Sequence, residues 1–351
     1  MSTYELVGNL HVHTCYSDGA SLHLDVARAA ARAGLDFVVV TDHNVWVGGV
    51  EGYHEDVLLL VGEEIHDVRC RPQANHLLVY SGETELVPLA GDTQGLIDEV
   101  DRRGGLCYLA HPYERGSSIK AELDPIPWKD WHVEGYNGIE LWNYMSEFKG
   151  LLSNRLTAVL YAYYPALGIR GPYRATRRRW DQLLAAGRRV TVIGGADAHA
   201  RTYSVGALER RVFPYEYLFR CVNTHVLAEL PFNGDLEHDK KLVYDGLRAG
   251  RTWVGYDLPA STSGFRFRAR TGSTEALMGA ELVRTAAVEL EIETPQAADI
   301  RLIREGELVA RATGRKLKHI TVSAGAYRVE AYLRYRLRRR GWIFSSPIYV
   351  R

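Results

Sequence analysis

Short apolar runs alternate with amphipathic stretches over the first 200 residues of the chain. The runs are rich in aliphatic and β-branched residues, as in FVVVT at 37–41, which is typical of buried strands. The intervening stretches repeat apolar positions at helical spacing, and the first ends at Gly34, a common helix terminator. The predicted strands are Leu6–His11, Phe37–Thr41, Val57–Val61, His76–Tyr80, Leu106–Ala110, Ile139–Trp142 and Arg189–Ile193, and the predicted helices are Leu24–Ala33, Leu96–Arg103 and Arg177–Ala186.

This alternation of strands and helices indicates the fold class of the larger part of the chain. Continuous apolar strands separated by helices favour a parallel sheet that is covered on both faces. The number of strand–helix units suits a β/α barrel better than an open sheet. We therefore predict an α/β fold of the barrel type.

The pattern changes after about residue 260. Closely spaced strands with Gly- and Pro-marked turns follow, and no run of helical period appears, which favours a small antiparallel β-sandwich. The turn-rich segment Leu258–Gly264 marks the boundary, so we predict domains at 1–260 and 261–351. The predicted strands are Val288–Glu293, Ile300–Arg304, Ile320–Val322, Tyr327–Tyr335 and Trp342–Val350.

Composition and charge narrow the classes of function. The chain has 351 residues, of which 46% are hydrophobic, and its 43 basic residues equal its 43 acidic ones, so no global field favours nucleic acid or an anionic membrane. Four scattered cysteines form no CxxC pair, which indicates reduced thiols. The start of the chain does not resemble a signal peptide, and 151–169 is interpreted as a packed amphipathic helix, so we expect a cytoplasmic protein without membrane association.

Histidine and acidic residues recur at the ends of the predicted strands. They stand in NLHVHT, CYSDG, VVVTDHN, VGEEIH, HLLVY, YLAHP and VIGGADAHA. In β/α barrels the loops after the strands converge on one face, where active sites lie. Imidazole and carboxylate donors suit Zn, Mn and Fe, and a carboxylate can bridge two such ions. The series therefore predicts a multinuclear metal site, although His76 opens its strand instead of ending it.

The motifs HVHTCYSDG, TDHN, GEEI, HLL, AHP and GADAHA resemble, in order, those of the polymerase and histidinol phosphatase (PHP) family over residues 6–205. The resemblance implies a distorted seven-stranded, TIM-like β/α barrel that holds two or three divalent ions and hydrolyses phosphoesters with metal-activated water. MGAEL, RLIREGELV and YRVEAYL…WIFSSPIYV resemble the C-terminal domain of the branch named after a carbaryl hydrolase, which includes an enzyme that cleaves an aryl carbamate.

The resemblance also implies a set of metal ligands. His11, His13 and Asp197 would hold the first ion, Glu64 would bridge it to a second held by His76 and His111, and Asp18, His43 and His199 would hold a third. Glu63 competes with Glu64, and Asp42 and Glu140 are candidates for orienting ligands. His54, His66 and His132 fit no motif and are interpreted as surface or loop residues.

Substrate binding is assigned to arginine, because its planar fork can hold a phosphate in a bidentate manner. Arg115 and Arg201 lie close in sequence to ligands, and Arg174 and Arg177 belong to a basic cluster for which a solvated helix face is the alternative. If the third metal position is empty, Asp18, His43 and His199 would act on the substrate directly, with His199 protonating the leaving group.

Three functions remain open at the level of sequence. The first is a phosphoesterase acting on a small phosphomonoester or on a nucleotide or oligonucleotide phosphodiester. The second is a hydrolase of carbamate, ester or amide bonds, which an apolar and aromatic pocket would favour over an arginine-lined one. The third is a non-catalytic metal-binding scaffold, against which the intact ligand set argues.

Overall fold

A computed structural model describes residues 3–80, 84–119, 123–205 and 208–351 as a sheet-rich, mixed α/β structure. The strands are β1 (Tyr4–Asn9), β2 (Phe37–Val40), β3 (Gly52–His54), β4 (Val57–Ile65), β5 (Leu77–Tyr80), β6 (Leu106–Leu109), β7 (Gly138–Asn143), β8 (Thr191–Gly195), β9 (Arg201–Val205), β10 (Leu208–Val212), β11 (Val222–Ala228), β12 (Thr252–Tyr256), β13 (Arg266–Thr271), β14 (Thr274–Leu277), β15 (Glu281–Leu282), β16 (Val288–Arg304), β17 (Glu307–Thr321), β18 (Gly325–Tyr335), β19 (Arg338–Ser345) and β20 (Ile348–Val350). The helices are α1 (His23–Ala33), α2 (Thr93–Arg102), α3 (Tyr144–Lys149), α4 (Arg155–Tyr163), α5 (Pro165–Gly168), α6 (Arg174–Ala185), α7 (Tyr215–Phe219) and α8 (Leu236–Arg248), with one 3₁₀ turn at Val87–Leu89.

Seven strands form the ladder that positions the motif residues, in the order β1–β2–β4–β5–β6–β7–β8. They correspond to the seven strands predicted from the apolar runs. Every residue of β2, β4, β5, β6, β7 and β8 is buried, as expected of strands that are covered on both faces.

The prediction of a parallel sheet is wrong at β5. This strand runs antiparallel to both β4 and β6, while the other ladder pairs are parallel. Residues 66–76, between β4 and β5, include no helix, and a parallel pair would need a long crossover. The reversal explains why His76 opens its strand: the start of β5 lies beside the carboxyl ends of its neighbours.

A closed TIM-like barrel is not confirmed. From β1 the sheet continues into β11 and β12, both antiparallel, and not directly into β8. Threonine hydroxyls link β8 to these two strands, because Thr224 Oγ1 bonds the backbone of Gly194 and Thr252 Oγ1 donates to Val192 O. Just beyond the strands, Val12 and Ala198 form an isolated parallel bridge between the chain after β1 and the chain after β8.

The helices mostly follow the prediction. Helix α1 ends where expected, with Gly34 in a left-handed conformation at φ 80°. The expectation of one packed amphipathic helix over 151–169 is wrong, because Pro165 separates α4 from α5 and none of the residues of α4 is buried. Leu156 on α4 is 84% exposed.

The strands after residue 265 pair in antiparallel fashion, except that β15 and β20 run parallel. Two predicted strands, Val288–Glu293 and Ile300–Arg304, are parts of the single strand β16, with a register shift between Glu293 and Ala298. Strand β12 pairs with β19, with Trp253 opposite Ser345, so the sheet continues across the predicted domain boundary at residue 260. The division of the chain into two domains and the β-sandwich remain predictions.

None of the helices in the described part of the chain is long and apolar enough to cross a membrane. The four cysteines, Cys15, Cys70, Cys107 and Cys221, are free thiols.

Candidate metal centre

The predicted metal-binding side chains meet at one edge of the ladder. His11 and His13 follow β1, His43 follows β2, and Glu64 lies near the end of β4. His76 immediately precedes the antiparallel β5, and His111, Asp197 and His199 follow β6 and β8. Isolated parallel bridges, Val12 with Ala198 and His43 with Glu64, hold these segments together beyond the regular strands.

Glu64 lies at the centre of the cluster, and its two carboxylate oxygens face different imidazoles. The side chain is about 1% exposed, so these imidazoles are its near neighbours in place of solvent. Oε2 lies 3.1 Å from His11 Nε2, 3.3 Å from His13 Nε2 and 3.1 Å from His43 Nδ1, whereas Oε1 lies 2.8 Å from His76 Nδ1 and 3.0 Å from His111 Nε2. A carboxylate between two sets of nitrogen donors has the arrangement that bridges two metal ions.

Glu63 faces away from this cluster. The side chains of successive strand residues point to opposite faces, and Glu63 Oε2 accepts a hydrogen bond from Leu86 N at 3.3 Å. Burial raises the pKa of Glu63 to about 7. Of the two adjacent glutamates, the structure brings Glu64 to the imidazoles.

A second carboxylate, Asp197, faces the two histidines of the HVH motif. Its Oδ1 lies 3.1 Å from His13 Nε2 and 3.4 Å from His11 Nε2. One donor atom from each of these three residues lies within 4.8 Å of the others, so the group could hold an ion.

Asp18 lies beside the remaining predicted ligands, His43 and His199. Its Oδ1 lies 3.0 Å from His199 Nε2, 3.8 Å from His43 Nε2 and 3.7 Å from His13 Nδ1. Its Oδ2 lies 3.1 Å from Arg201 Nη2, and Arg201 Nε also donates to the Asp18 carbonyl. This third group is more open to solvent than the first two, and a cation of the chain already lies at its edge.

The donors fit divalent metal ions. Two buried nitrogens that face Glu64 make no well-aligned hydrogen bond among the described residues: His13 Nε2 and His43 Nδ1, which lie 3.3 and 3.1 Å from Glu64 Oε2. Buried polar atoms normally make well-aligned hydrogen bonds, so two imidazole nitrogens that face one carboxylate oxygen without them are best explained as metal donors. Mixed imidazole and carboxylate donors suit Zn, Mn or Fe.

Mutual electrostatics keep the acids of the cluster ionised. Burial raises the pKa of Glu64, but the imidazoles of His11, His43 and His76 outweigh it and hold the pKa well below its usual value. Burial lowers the pKa of His13, but the nearby carboxylates of Asp197 and Glu64 outweigh that effect and raise the pKa to about 9. Bound metal ions would replace these protons as the countercharge of the carboxylates.

Glu140 and Asn143 support the metal-facing residues from behind. Glu140 Oε1 lies 3.0 Å from His11 Nδ1, and its Oε2 accepts from His111 N at 2.9 Å and from Asn143 Nδ2 at 3.0 Å. With Nδ1 occupied by Glu140, His11 turns Nε2 toward Glu64 and Asp197. A carboxylate behind a ligand histidine is a common way to fix its tautomer and orientation.

Asp42 has a different role from the predicted one. It does not orient a ligand imidazole through a direct hydrogen bond in the described structure, and it accepts from Thr14 N at 2.7 Å and from the hydroxyls of Thr14 and Ser17 at 2.5 Å. These bonds fix the turn between His13 and Asp18.

His66 is a loop residue, which is one of the two alternatives predicted from the sequence, but it does not lie at the surface. It is buried, stacks on His76 with ring centroids 4.2 Å apart, and packs edge-on against His43. Asn44 and Gln73 approach its Nε2 at 3.5 and 3.3 Å. His66 follows β4 two residues after Glu64, and this spacing is the only sequence signal that could have placed it here.

A cavity of about 330 Å³ opens onto the cluster, with Glu64, His76, His111, Asp197 and His199 in its lining. Of the four arginines predicted to bind substrate, Arg201 lines the cavity. The other three are not among its described lining residues: Arg177 binds Glu330 at 3.1 Å, Arg115 stacks over Tyr173, and Arg174 is exposed at the start of α6. Arg177 is engaged because its helix packs against the C-terminal strands.

Comparison with known proteins finds distant similarities. No family model matches the chain. An uncharacterized protein of Methanocaldococcus jannaschii is 26% identical over 120 residues, which cover 30% of this chain and 67% of that protein.

Two solved structures resemble the fold in part. One is a two-domain protein containing a predicted PHP-like metal-dependent phosphoesterase from Bacteroides vulgatus, with a TM-score of 0.45, 15% identity, and coverage of 98% of this chain and 95% of that one. The other is the lesion-specific endonuclease PfuEndoQ of Pyrococcus furiosus, with a TM-score of 0.37, 12% identity, and coverage of 76% and 62%. Both TM-scores are below 0.5, so the function proposed next rests on the residues of the site itself.

Proposed function

We propose that this protein is a metal-dependent phosphoesterase that hydrolyses a phosphomonoester or a nucleotide-type phosphodiester. The position of Glu64 carries the proposal, because its two oxygens face separate sets of imidazoles at the floor of a cavity. Paired ions held in this way are typical of enzymes that hydrolyse phosphate esters.

His11, His13 and Asp197 would hold the first ion, and His76 and His111 the second, with Glu64 between them. When bound, such ions lower the pKa of water and polarise the ester oxygen. In the hydrolysis, the water oxygen forms a bond to phosphorus, the bond between phosphorus and the leaving oxygen breaks, and a proton reaches the released alcohol. Glu140 would hold His11 in the orientation that this arrangement needs.

The more exposed group would act on the substrate. Arg201, about 45% exposed beside Asp18, is placed to donate to a non-bridging phosphate oxygen once substrate enters. His199 Nε2 is the proposed proton donor to the leaving oxygen, and Asp18 Oδ1 at 3.0 Å would orient its ring. If a third ion occupies this group, then Asp18, His43 and His199 would be its ligands.

The proposal extends to the family and the fold. Residues 1–260 would form a PHP-type domain whose seven-stranded ladder is a distorted barrel, closed by threonine contacts with β11 and β12 in place of a final strand ladder. Residues 261–351 would form the antiparallel sandwich.

The test is release of 4-nitrophenol by protein loaded with manganese or with zinc. A phosphate monoester, a phosphodiester and a carbamate ester are compared, with Glu64→Ala as the blank. Preferential cleavage of a phosphate ester that depends on Glu64 is the expected result. Silence on all three substrates by protein that holds its metal would favour the non-catalytic scaffold instead.

A second candidate, hydrolysis of a carbamate, ester or amide, is favoured by one observation: much of the cavity lining beyond the metal cluster is apolar, including Met145, Phe148 and Leu152. Preferential cleavage of the carbamate in the same assay would support this candidate over the first.

A further inference from the structure

The cavity above the metal cluster has two chemically different ends. At one end lie the imidazoles and carboxylates, with Arg201 at their edge. The other end is formed by Ile119, Leu123 and Ile126 and by α3, α4 and the turn between them. We call its aliphatic and aromatic lining the apolar wall, which comprises Ile126, Met145, Phe148, Leu152, Val159 and Ala162.

Two charged side chains in this part of the cavity, Lys149 of α3 and Glu114, are paired with each other. Lys149 Nζ lies 2.6 Å from Glu114 Oε2, and the two side chains are 14% and 5% exposed. Lys149 also donates to Asp124 O at 3.1 Å, and Glu114 also accepts from Ile126 N at 2.8 Å. The pair therefore offers little charge or hydrogen-bonding capacity to a ligand.

Helix α4 supports the same interpretation. It is apolar around most of its circumference, which is typical of a buried helix, yet none of its residues is buried. Ala158, Val159 and Ala162 face the cavity, whereas Leu156 and Leu160 are exposed. Arg210, which also lines the cavity, donates to Ala162 O at 2.6 Å and stacks over the ring of Tyr163 at the end of α4. A ligand with apolar surface would supply the missing packing for its inner face.

We propose that the substrate is an amphiphilic phosphate monoester whose leaving group is an apolar alcohol, alkyl or aryl, seated against the apolar wall. This inference rests on the proposed phosphoesterase function and names its substrate class. The phosphate lies at the metal end beside Arg201, and the released alcohol leaves the wall after taking up a proton.

A nucleoside leaving group fits this wall poorly. Its sugar hydroxyls and base edges would lose hydrogen bonds to water and find few partners there, and unpaired buried polar groups are costly. The volume of about 330 Å³ also lies at the small end of ligand sites, which suits one small molecule better than a segment of polynucleotide.

The first test measures binding alone. Methyl-, butyl- and hexylphosphonate, which cannot be hydrolysed at the phosphorus–carbon bond, are titrated into metal-loaded protein by calorimetry. Each added methylene should tighten binding about four-fold while the wall is being filled. Dissociation constants that do not depend on chain length would overturn the proposal.

Two variants locate the effect. Ala162→Trp should fill the cavity and abolish the dependence on chain length, while Leu156→Trp, the same residue type on the exposed face of α4, should retain it. Val159→Thr nearly preserves side-chain shape and adds a hydroxyl to the wall, so hexylphosphonate should bind several-fold more weakly and methylphosphonate should be unaffected. Retention of the full dependence on chain length in both wall variants would refute the assignment of the wall.

Turnover separates this inference from the proposed function. Methyl, butyl and hexyl phosphate release alcohols of similar acidity, so a rise in kcat/KM along the series reports apolar contact and not leaving-group chemistry. We expect that rise, and we expect hexyl phosphate to exceed a nucleoside 5′-monophosphate. Faster cleavage of the nucleotide would overturn the inferred substrate class, while the proposed phosphoesterase function would be retained. If binding depends on chain length but no phosphate ester is cleaved, the proposed phosphoesterase function would be wrong, and the assignment of the apolar wall as a ligand-binding surface would be retained.

Discussion

Glu140 Oε1 lies 3.0 Å from Nδ1 of His11, and both side chains are fully buried. The contact joins the end of β7 to the HVH motif after β1 and turns the other ring nitrogen of His11 toward Glu64. Glu140 belongs to none of the three groups of candidate metal donors. It nevertheless determines which ring nitrogen of His11 faces the centre of the cluster.

Replacing this carboxylate should weaken metal binding without removing a ligand. We expect Glu140→Gln to lower metal affinity about 10- to 100-fold, because the amide no longer fixes the tautomer of His11. Competition with a chromogenic chelator measures the affinity. Glu147→Gln is the matched control, since Glu147 is a buried carboxylate that accepts from Trp142 Nε1 and Arg170 N instead of a histidine. Equal affinities in the two variants would show that Glu140 has no orienting role.

Gly195 makes room for the same pair of residues. A Cβ at this position would lie 2.7 Å from His11 Cβ and 2.9 Å from Glu140 Oε1, both closer than real Cβ contacts. Gly195→Ala should therefore displace His11 and lower metal affinity about ten-fold or more. The control is Gly91→Ala, whose added methyl meets the exposed end of the Arg69 side chain and lies 3.5 Å from Asp67 Oδ2. Unchanged metal content in Gly195→Ala, measured by mass spectrometry after dialysis, would contradict this steric account.

Arg201 is the predicted arginine that reaches the cavity, and its removal should affect phosphate esters selectively. We expect Arg201→Gln to raise KM for a phosphomonoester about ten-fold or more, because a charge-assisted hydrogen bond is lost. Arg174→Gln, at the exposed start of α6, should change KM by less than about two-fold. Steady-state kinetics of both variants measure the two KM values. A larger effect at Arg174 would mean that substrate binds along α6.

His225, away from the metal cluster, should make stability depend on pH. Burial lowers its pKa, but Asp257 and Glu5 at 3.2 and 3.0 Å outweigh burial and raise the pKa from 6.5 to about 9. A raised pKa in the folded state gives stabilisation that is complete below pH 6.5 and disappears as pH rises through about 9, with a size on the order of 3 kcal/mol.

The measurement is the free energy of unfolding by urea from pH 5 to 10 at constant metal concentration. The difference between the wild-type protein and His225→Gln should be largest below pH 6.5 and shrink toward zero above pH 9. The exposed His132→Gln should show a difference near zero throughout. A gap for His225→Gln that widens as pH rises would reverse the sign and refute the account.

Much of the ladder is predictable from sequence because buried strands carry uninterrupted aliphatic runs. An apolar run does not show which way its strand runs in the sheet, so the antiparallel direction of β5 could not be predicted. The position of His76 before its strand, and not after it, was the one indication of this direction. The hairpin of β9 and β10 was missed because RTYSV and LERRV are mostly polar. Helix α4 was expected to be packed because its sequence is apolar, and sequence does not reveal that its inner face borders a cavity.

The sequence predicted the residues of the proposed metal centre because most of them stand at the ends of apolar runs, and motif resemblance added His76 and Asp18, which do not. His66 was missed because it matches no motif and is recognisable only by its stacking on His76. Arg177 was assigned to the substrate because a basic helix face looks the same whether it faces a ligand or a distant acid. Its partner, Glu330, lies 153 residues away in the chain.

The bridging position of Glu64 is the central claim, and the number of metal ions per chain tests it most directly. Glu64→Gln removes the charge of the bridge, and Glu63→Gln makes the same change one residue away, on a side chain that accepts from Leu86 N. Elemental analysis after dialysis should find at least two ions in the wild-type protein and in Glu63→Gln, and a loss of more than one ion in Glu64→Gln. A full complement of metal in Glu64→Gln would contradict the bridging role.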